Sequence, residues 1–235
     1  SSFRCYTSTK VPVRLVINQP LSLDKDKCNE LFEIAQEKEC VLMESIRTAY
    51  SVAYGRLCLL IKSGKIGRIL SIDSTCTSMS NVGSKYNSLY EWGTYALLPV
   101  FQLLGVKYKT KNIISCMDNG DLFTRINFIY DNSVASITVA QGAKSEGDLK
   151  ICGTKGYIYV PSPWWKTDYF EVRYENPADN RRYFYQLDGE GIRGELVEFC
   201  RSIKNKNSSR FISQDVSLAI SKEMQDFSEN KIVNI

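Results

Sequence analysis

Two side chains in this sequence have types and a spacing that could do chemistry together. Glu91 and Tyr95 sit four residues apart in Leu89 to Gly105, an apolar-rich stretch that reads as an amphipathic helix kinked at Pro99. That spacing sets a carboxylate and a phenol one turn apart on one helical face, where the acid can orient or tune the hydroxyl. A mere helix-surface pair is the alternative. The chain has no histidine, so Ser-His-Asp, Cys-His and H-E-x-x-H chemistries are excluded within it. Proton transfer falls to Lys, Tyr, Asp, Glu or Cys.

Other chemical patterns carry less. Gly189-Glu190-Gly191-Ile192-Arg193-Gly194 matches G-x-G-x-x-G, but no further strand follows to complete βαβ and no acid sits at a strand end about 20 residues on to hold a ribose, so a glycine-rich connector is the reading. Asn18-Gln19-Pro20 ends a predicted parallel strand, the end at which open α/β sheets bind ligands; a plain strand-ending turn is the alternative. Lys155 reads as a hairpin tip. Trp164, Trp165, Tyr169, Phe170 and Tyr174 form an aromatic strip, read as a sheet face packed on helices or a subunit rather than a stacking platform. Eight dispersed cysteines form neither C-x-x-C nor a zinc signature, so buried reduced thiols and no metal are expected.

The elements that must position these groups follow from pattern. With 235 residues, 43% of them hydrophobic, the chain can bury a sizeable core. Its net charge of +4 is scattered, with Arg201 to Arg210 the one loose cluster, read as a solvated helix end; no nucleic-acid partner is expected. No apolar run is long enough to span a bilayer and no signal core opens the sequence, so no membrane partner and a cytoplasmic location are expected.

Val11 to Asn18 reads as a strand buried on both faces, the segment from Ser22 as a helix with Cys28, Leu31, Phe32 and Ala35 on its apolar face, and Cys40 to Met43 as a second strand. This βαβ unit would leave an open edge and an uncovered face if alone, so the chain is expected to begin inside a nucleotide-binding domain. A helix over Ser51 to Ser63 and a strand from Ile69 to Cys76 come next. After the Leu89 helix, seven strand-like runs between Asn112 and Gln186 predict a mostly antiparallel meander, and helices over Gly194 to Lys204 and Gln214 to Phe227 close the chain. The expected fold class is α/β (α+β), with a large open, mostly antiparallel sheet covered by helices on one face. Residues 1–45 are expected to be the C-terminal fragment of a Rossmann domain and residues 46–235 a substrate and oligomerisation domain.

These pieces together resemble one family. Asn18-Gln19-Pro20-Leu21-Ser22-Leu23 is similar to the Glu-Lys-Pro-Leu-Ala-Leu motif of the glucose-fructose oxidoreductase/inositol dehydrogenase (Gfo/Idh/MocA) family. Val41 to Ser45, Ile61 to Gly67, Glu146 to Asp148, Gly153 to Tyr157 and Glu195 to Lys204 extend the likeness over nearly the whole chain from about Val11. The resemblance implies a Rossmann domain binding NAD or NADP, followed by an open-sheet domain that shapes the substrate site and pairs subunits. It implies oxidation or reduction of a carbinol or carbonyl on a sugar, inositol or related small molecule. Glu91-Trp92-Gly93-Thr94-Tyr95 corresponds to the family's Asp-x-Gly-x-His motif, with tyrosine as in the dihydrodiol-dehydrogenase-like branch. On this basis Tyr95, Glu91 and Gln19 are the candidate catalytic residues. Asn18, Gln19 and Pro20 are candidate cofactor contacts, and Arg47, Tyr86, Glu91 and Tyr95 candidate substrate contacts. The departures are specific: Gln19 replaces the family lysine and can hydrogen-bond but supplies no ammonium, Tyr86 and Asn87 replace glycines, and the phosphate-binding glycine loop is not in this chain. A catalytically silent relative, serving as a binding or dimerisation module, is the second reading.

Overall fold

The computed structural model describes residues 15–79, 86–186, 189–229 and 231–235. Its first unit is β1 (Leu15–Asn18), α1 (Lys25–Glu37) and β2 (Leu42–Ser45), the two strands running parallel with Leu15 beside Leu42 and Asn18 beside Ser45. The Asp24 carboxylate starts α1 by accepting the Asp26 and Lys27 N–H groups at 2.9 and 3.0 Å. Cys28 is fully buried there, and Leu31, Phe32 and Ala35 pack with it against Leu21 and Leu42, the face read from the sequence. Val11 to Arg14 of the expected first strand lie outside the described residues. The second strand sits two residues later than expected. Apolarity pointed to Cys40 and Val41, whereas the pairing takes in Glu44 and Ser45, both buried.

A 3₁₀ turn (Arg47–Tyr50) and α2 (Val52–Lys62) lead into the main sheet: β3 (Ile69–Thr77), β4 (Tyr86–Asn87), β5 (Thr110–Met117), β6 (Gly120–Ile129), β7 (Val134–Ala140), β8 (Leu149–Gly153), β9 (Tyr157–Val160), β10 (Tyr169–Arg173), β11 (Arg181–Phe184) and β12 (Val233–Asn234). Helix α3 (Ser88–Leu104) lies between β4 and β5, and α4 (Ile192–Asn205) and α5 (Gln214–Ser228) precede β12. The ten strands run β11-β10-β9-β8-β3-β7-β6-β5-β12, with β4 paired off this path to β6, and the sheet does not close.

The expected meander is corrected in one respect. β3 inserts between β7, to which it is parallel, and β8, to which it is antiparallel, so the hairpins β6-β7 and β8-β9 are joined through an earlier strand. Strand pattern alone carries no information about that order. The two-residue strands β4 and β12 are too short to show a period of two. One unbroken row crosses the buried face: Val160, Leu149, Ser74, Ile137, Ile126 and Ile113 are successive partners. The opposite face alternates to Asp73, Arg125 and Lys150, all exposed, and to half-buried Tyr157, Tyr159, Tyr169 and Arg173. This splits the aromatic strip: Trp164 and Phe170 belong to the core, while Tyr169 stacks on Phe184 at 5.4 Å on the open face.

Helix α5 braces the molecule. Glu223 and Asp226 bind the Lys111 ammonium on β5, Met224 and Phe227 face α3, and the Gln225 side chain accepts the Lys25 N–H at the start of α1 at 3.1 Å. The Arg201 to Arg210 cluster is a largely exposed helix end, as expected, but two of its arginines grip one buried acid. Glu198, 1% exposed, accepts Arg201 Nη2 at 2.7 Å, the Arg210 N–H at 2.8 Å and Arg210 Nη2 at 2.9 Å. Burial pushes the Glu198 carboxyl up, but these bonds outweigh it and hold the group down to about 2. Asp226 is likewise held well below its ordinary range, burial being outweighed by Lys111, Lys222 and Lys231. A depressed folded value contributes stability that is complete above the ordinary carboxyl range and lost as pH falls below it. The thermal unfolding temperature should therefore fall as pH is lowered from about 4.5 to about 2, and Glu198→Gln should be less stable at pH 7 with a shallower acid loss. An equally steep loss in Glu198→Gln would assign the effect elsewhere.

The seven cysteines among the described residues are all free. Only Cys28 and Cys76 are buried, and Cys200 is exposed, which corrects the expectation of uniformly buried thiols. Among these residues no helix is long and apolar enough to cross a membrane, and no cluster of three or more Cys, Asp or Glu is placed to hold a metal ion.

Candidate functional site

The register of β1 on β2 puts two of the candidate segments at one place. Asn18 lies beside Ser45, so Asn18-Gln19-Pro20 and the Ile46-Arg47 turn leave from the carboxyl ends of adjacent parallel strands. Asn18 is exposed; Gln19, Pro20 and Arg47 are half-buried. The Gln19–Pro20 peptide is cis. Gln19 Oε1 is buried and has no hydrogen-bond partner among the described residues. A sealed acceptor without a partner is costly, and such atoms mark places where a ligand or water completes the structure.

Glu44 fixes this turn. Its Oε1 accepts the Leu21 N–H at 3.1 Å, its Oε2 accepts the Ser217 hydroxyl of α5, and its main-chain carbonyl accepts the Tyr50 hydroxyl at 2.7 Å. Burial raises its carboxyl above the usual range, against the lowering effect of the Ser217 and Leu21 bonds. In sequence this residue is marked by its place directly after the apolar Val41 to Met43 run, within the Val41 to Ser45 match.

The second segment is α3. Its first N–H groups are satisfied from β6: Asp121, 2% exposed, accepts Ser88 N–H at 2.8 Å and Leu89 N–H at 2.7 Å. The Ser88 hydroxyl donates to the Asp121 carbonyl, and Gln141 holds the Asn87 N–H at 2.8 Å. Burial raises the Asp121 carboxyl, with the Leu89 and Ser88 amides pulling the other way. From this anchored end Glu91 projects exposed and Tyr95 half-buried. No hydrogen bond joins them among the described residues, so the acid lies on the same helical face without gripping the phenol. Tyr86 enters β4 beside Gly120; its side chain lies outside the described set.

Trp165 connects the two segments. Thr48, next to Arg47, donates its hydroxyl to the Trp165 carbonyl at 2.8 Å, and the Trp165 ring lies 5.1 Å from Trp92, itself 6.2 Å from Tyr95. Gly147 makes room: a Cβ there would sit 2.8 Å from the Trp165 ring. Tyr95 thus borders an aromatic wall of Trp92 and Trp165, the second of which had been assigned to sheet packing, and the Trp165 backbone is tied to Thr48 beside Arg47. Three surface clefts of 330, 560 and 480 Å³ lie elsewhere, and none is lined by Gln19, Glu91 or Tyr95.

The G-x-G-x-x-G segment has a packing role. A Cβ at Gly191 would lie 2.2 Å from the Arg47 carbonyl oxygen, and one at Gly194 would lie 2.3 Å from that of Tyr50. These glycines let the start of α4 sit directly on the turn that carries Arg47.

A two-stranded parallel unit joined through a bracing helix to a ten-stranded open sheet, with candidate residues at the strand ends and on α3, defines the class of this chain as an open-sheet α/β protein. No protein-family model and no curated protein matches the sequence. Solved structures share the fold. KijD10, a 3-ketoreductase from Actinomadura kijaniata in complex with NADP and TDP-benzene, matches with a TM-score of 0.76 at 14% identity, over 93% of this chain and 70% of that one. An NAD binding oxidoreductase from Klebsiella pneumoniae matches at 0.75 and 13%, over 93% and 70%. Levoglucosan dehydrogenase, in complex with NADH and levoglucosan, matches at 0.75 and 17%, over 92% and 71%. At these identities the likeness establishes the fold.

Proposed function

We propose that this chain belongs to an NAD(P)-dependent oxidoreductase acting on a carbinol or carbonyl of a sugar, inositol or related small molecule. Residues 1–45 would be the C-terminal part of its dinucleotide domain and residues 46–235 its substrate domain. The observation that carries this reading is the fold shared over more than nine-tenths of the chain with three structures described as nicotinamide-binding oxidoreductases or solved with NADP or NADH. The orphaned Gln19 Oε1 at the carboxyl end of β1 fits a cofactor or substrate donor approaching that edge. Asn18, Gln19 and Pro20 would hold the cofactor there.

When bound, a nicotinamide accepts or returns the hydride. The chain's own work is the proton and the orientation. In reduction the Tyr95 hydroxyl gives its proton to the carbonyl oxygen as hydride arrives and regains one from solvent; in oxidation Tyr95 first releases its proton to solvent and, as phenolate, takes the carbinol proton as hydride leaves. Glu91 adds negative charge on the same face. Gln19 hydrogen-bonds a substrate oxygen and, being neutral, leaves the proton to Tyr95. Arg47 and Tyr86 complete the substrate contacts, and the Trp92 and Trp165 wall limits water access to Tyr95.

The test is turnover by the full protein with NAD or NADP and a panel of sugars and inositols. Tyr95→Phe should lose at least about 100-fold in kcat, and Gln19→Ala should be weakened but active. Undiminished turnover in Tyr95→Phe would remove the assigned role.

A second reading, a silent relative kept as a dimerisation module, is favoured by the neutral side chain at Gln19 and by the open sheet face. There Arg182 lies over the Tyr169 and Phe184 rings at 5.3 and 5.8 Å, and Arg173 over Tyr159 at 4.7 Å, a surface suited to pairing with a second copy. Self-association with no binding of NADPH would decide for it.

A further inference from the structure

We propose that Glu44 is a positioning residue, whose buried carboxylate holds the Asn18-Gln19-Pro20 turn on α5 and thereby sets it in register with the Glu91 and Tyr95 helix. This rests on the reading that Gln19 and Tyr95 serve one site, and it gives a role to Glu44, which lies within the Val41 to Ser45 match but to which the resemblance assigns none.

The chain of contacts is short. Leu21, two residues after Gln19, gives its N–H to one Glu44 oxygen at 3.1 Å, and Ser217 on α5 gives its hydroxyl to the other. Two turns further along α5, Met224 lies against Gly93, where an added Cβ would stand 2.8 Å from the methionine Cε. Phe227 meets Tyr90 edge to face at 5.7 Å. Gly93 and Tyr90 flank Glu91 and precede Tyr95 on α3, so one rigid helix touches both halves of the site. Glu44 is the polar link among these contacts. It is 3% exposed, and among the described residues its carboxylate has two hydrogen bonds and no salt bridge. Glutamine can take its place, because its one oxygen can still accept the Leu21 N–H while its N–H₂ donates to the Ser217 hydroxyl, which can turn from donor to acceptor. A methyl group cannot, because it leaves the Leu21 N–H and the Ser217 hydroxyl unpaired.

The experiment uses the whole chain, with amide hydrogen exchange and ¹H–¹⁵N spectra of Glu44→Gln, Glu44→Ala and Ser217→Ala. In Glu44→Ala, Leu21 exchange should accelerate by about tenfold, and the Gln19, Glu91 and Tyr95 resonances should move together. The Ile113 and Ile126 amides of the sheet should stay as in the wild type. Glu44→Gln should keep the wild-type pattern. Should Glu44→Ala lose its fold, Ser217→Ala severs only the α5 end of the link and should still loosen Leu21 and shift Tyr95. Unchanged Leu21 exchange in Ser217→Ala, or faster exchange there with Glu91 and Tyr95 unmoved, would overturn the proposal, the latter leaving Glu44 a local structural residue. NADPH titration of the full protein, with its complete dinucleotide domain, separates the two questions: absence of binding there counts against the oxidoreductase reading, while the exchange and spectra judge Glu44 independently.

Discussion

Gly191→Ala is expected to lower the unfolding free energy by about 2–6 kcal/mol. The residue has φ +90, and the new Cβ would stand 2.2 Å from the Arg47 carbonyl oxygen and 3.0 Å from its carbon. Left-handed backbone costs a non-glycine residue about 1–3 kcal/mol. The overlap adds about 1–3 kcal/mol more, since backbone atoms cannot rotate away like a flexible side chain. Gly189→Ala is the internal control. It has φ +64 but nothing within 4 Å, so only the conformational cost applies, about 1–2 kcal/mol. Denaturant midpoints measure both, and equal losses would mean that the Arg47 contact does not constrain the start of α4. Because Gly191 touches Arg47 itself, the same substitution should disturb any ligand that Arg47 holds.

Asp121→Ala should cost about 3–5 kcal/mol, because it strips the acceptor from two buried N–H groups at once. Ser88 and Leu89 present those groups at 2.8 and 2.7 Å, at the end of α3 where no earlier carbonyl of the helix can reach. The carboxylate also opposes the positive end of the helix dipole. Asp121→Asn should lose less, since one oxygen remains, although its amide N–H₂ faces donors rather than acceptors. Faster exchange of the Ser88 and Leu89 amides, with Ile137 and Ile151 unchanged, would place the damage at this cap; uniform loosening of the sheet would assign Asp121 a wider role.

Much of the fold was legible because its signals are local. The α1 face, Cys28 to Ala35, and α3 are set by apolar spacing, and each main strand between Thr110 and Phe184 carries its alternating pattern, so all fell within a residue or two of expectation. Strand order was not legible, because Ser71 meeting Val134 is a partnership between distant segments with no mark in either. The candidate residues were found from the Glu91 to Tyr95 spacing and from motif likeness. Their supports were not, for a buried acid such as Glu44, Asp121 or Glu198 looks in sequence like any other charge until its partners from remote elements are in place. The G-x-G-x-x-G segment shows the reverse. Its glycines were visible, but their reason, the carbonyls of Arg47 and Tyr50, lay far away in the chain.

The place of β3 bears on how the molecule assembles in time. Neighbouring runs such as β5, β6 and β7 can zip as successive hairpins, and β8, β9 and β10 can do the same, each closing short loops. Neither half can meet the other until β3, made earlier and held apart by the whole of α3, slots between Val134 and Gly153. Joining the sheet is thus a search over long loops whose entropy must be overcome before most of the core is gained. Two preformed hairpin stacks awaiting a central strand place the kinetic bottleneck of folding at β3, in the middle of the sheet rather than at either edge.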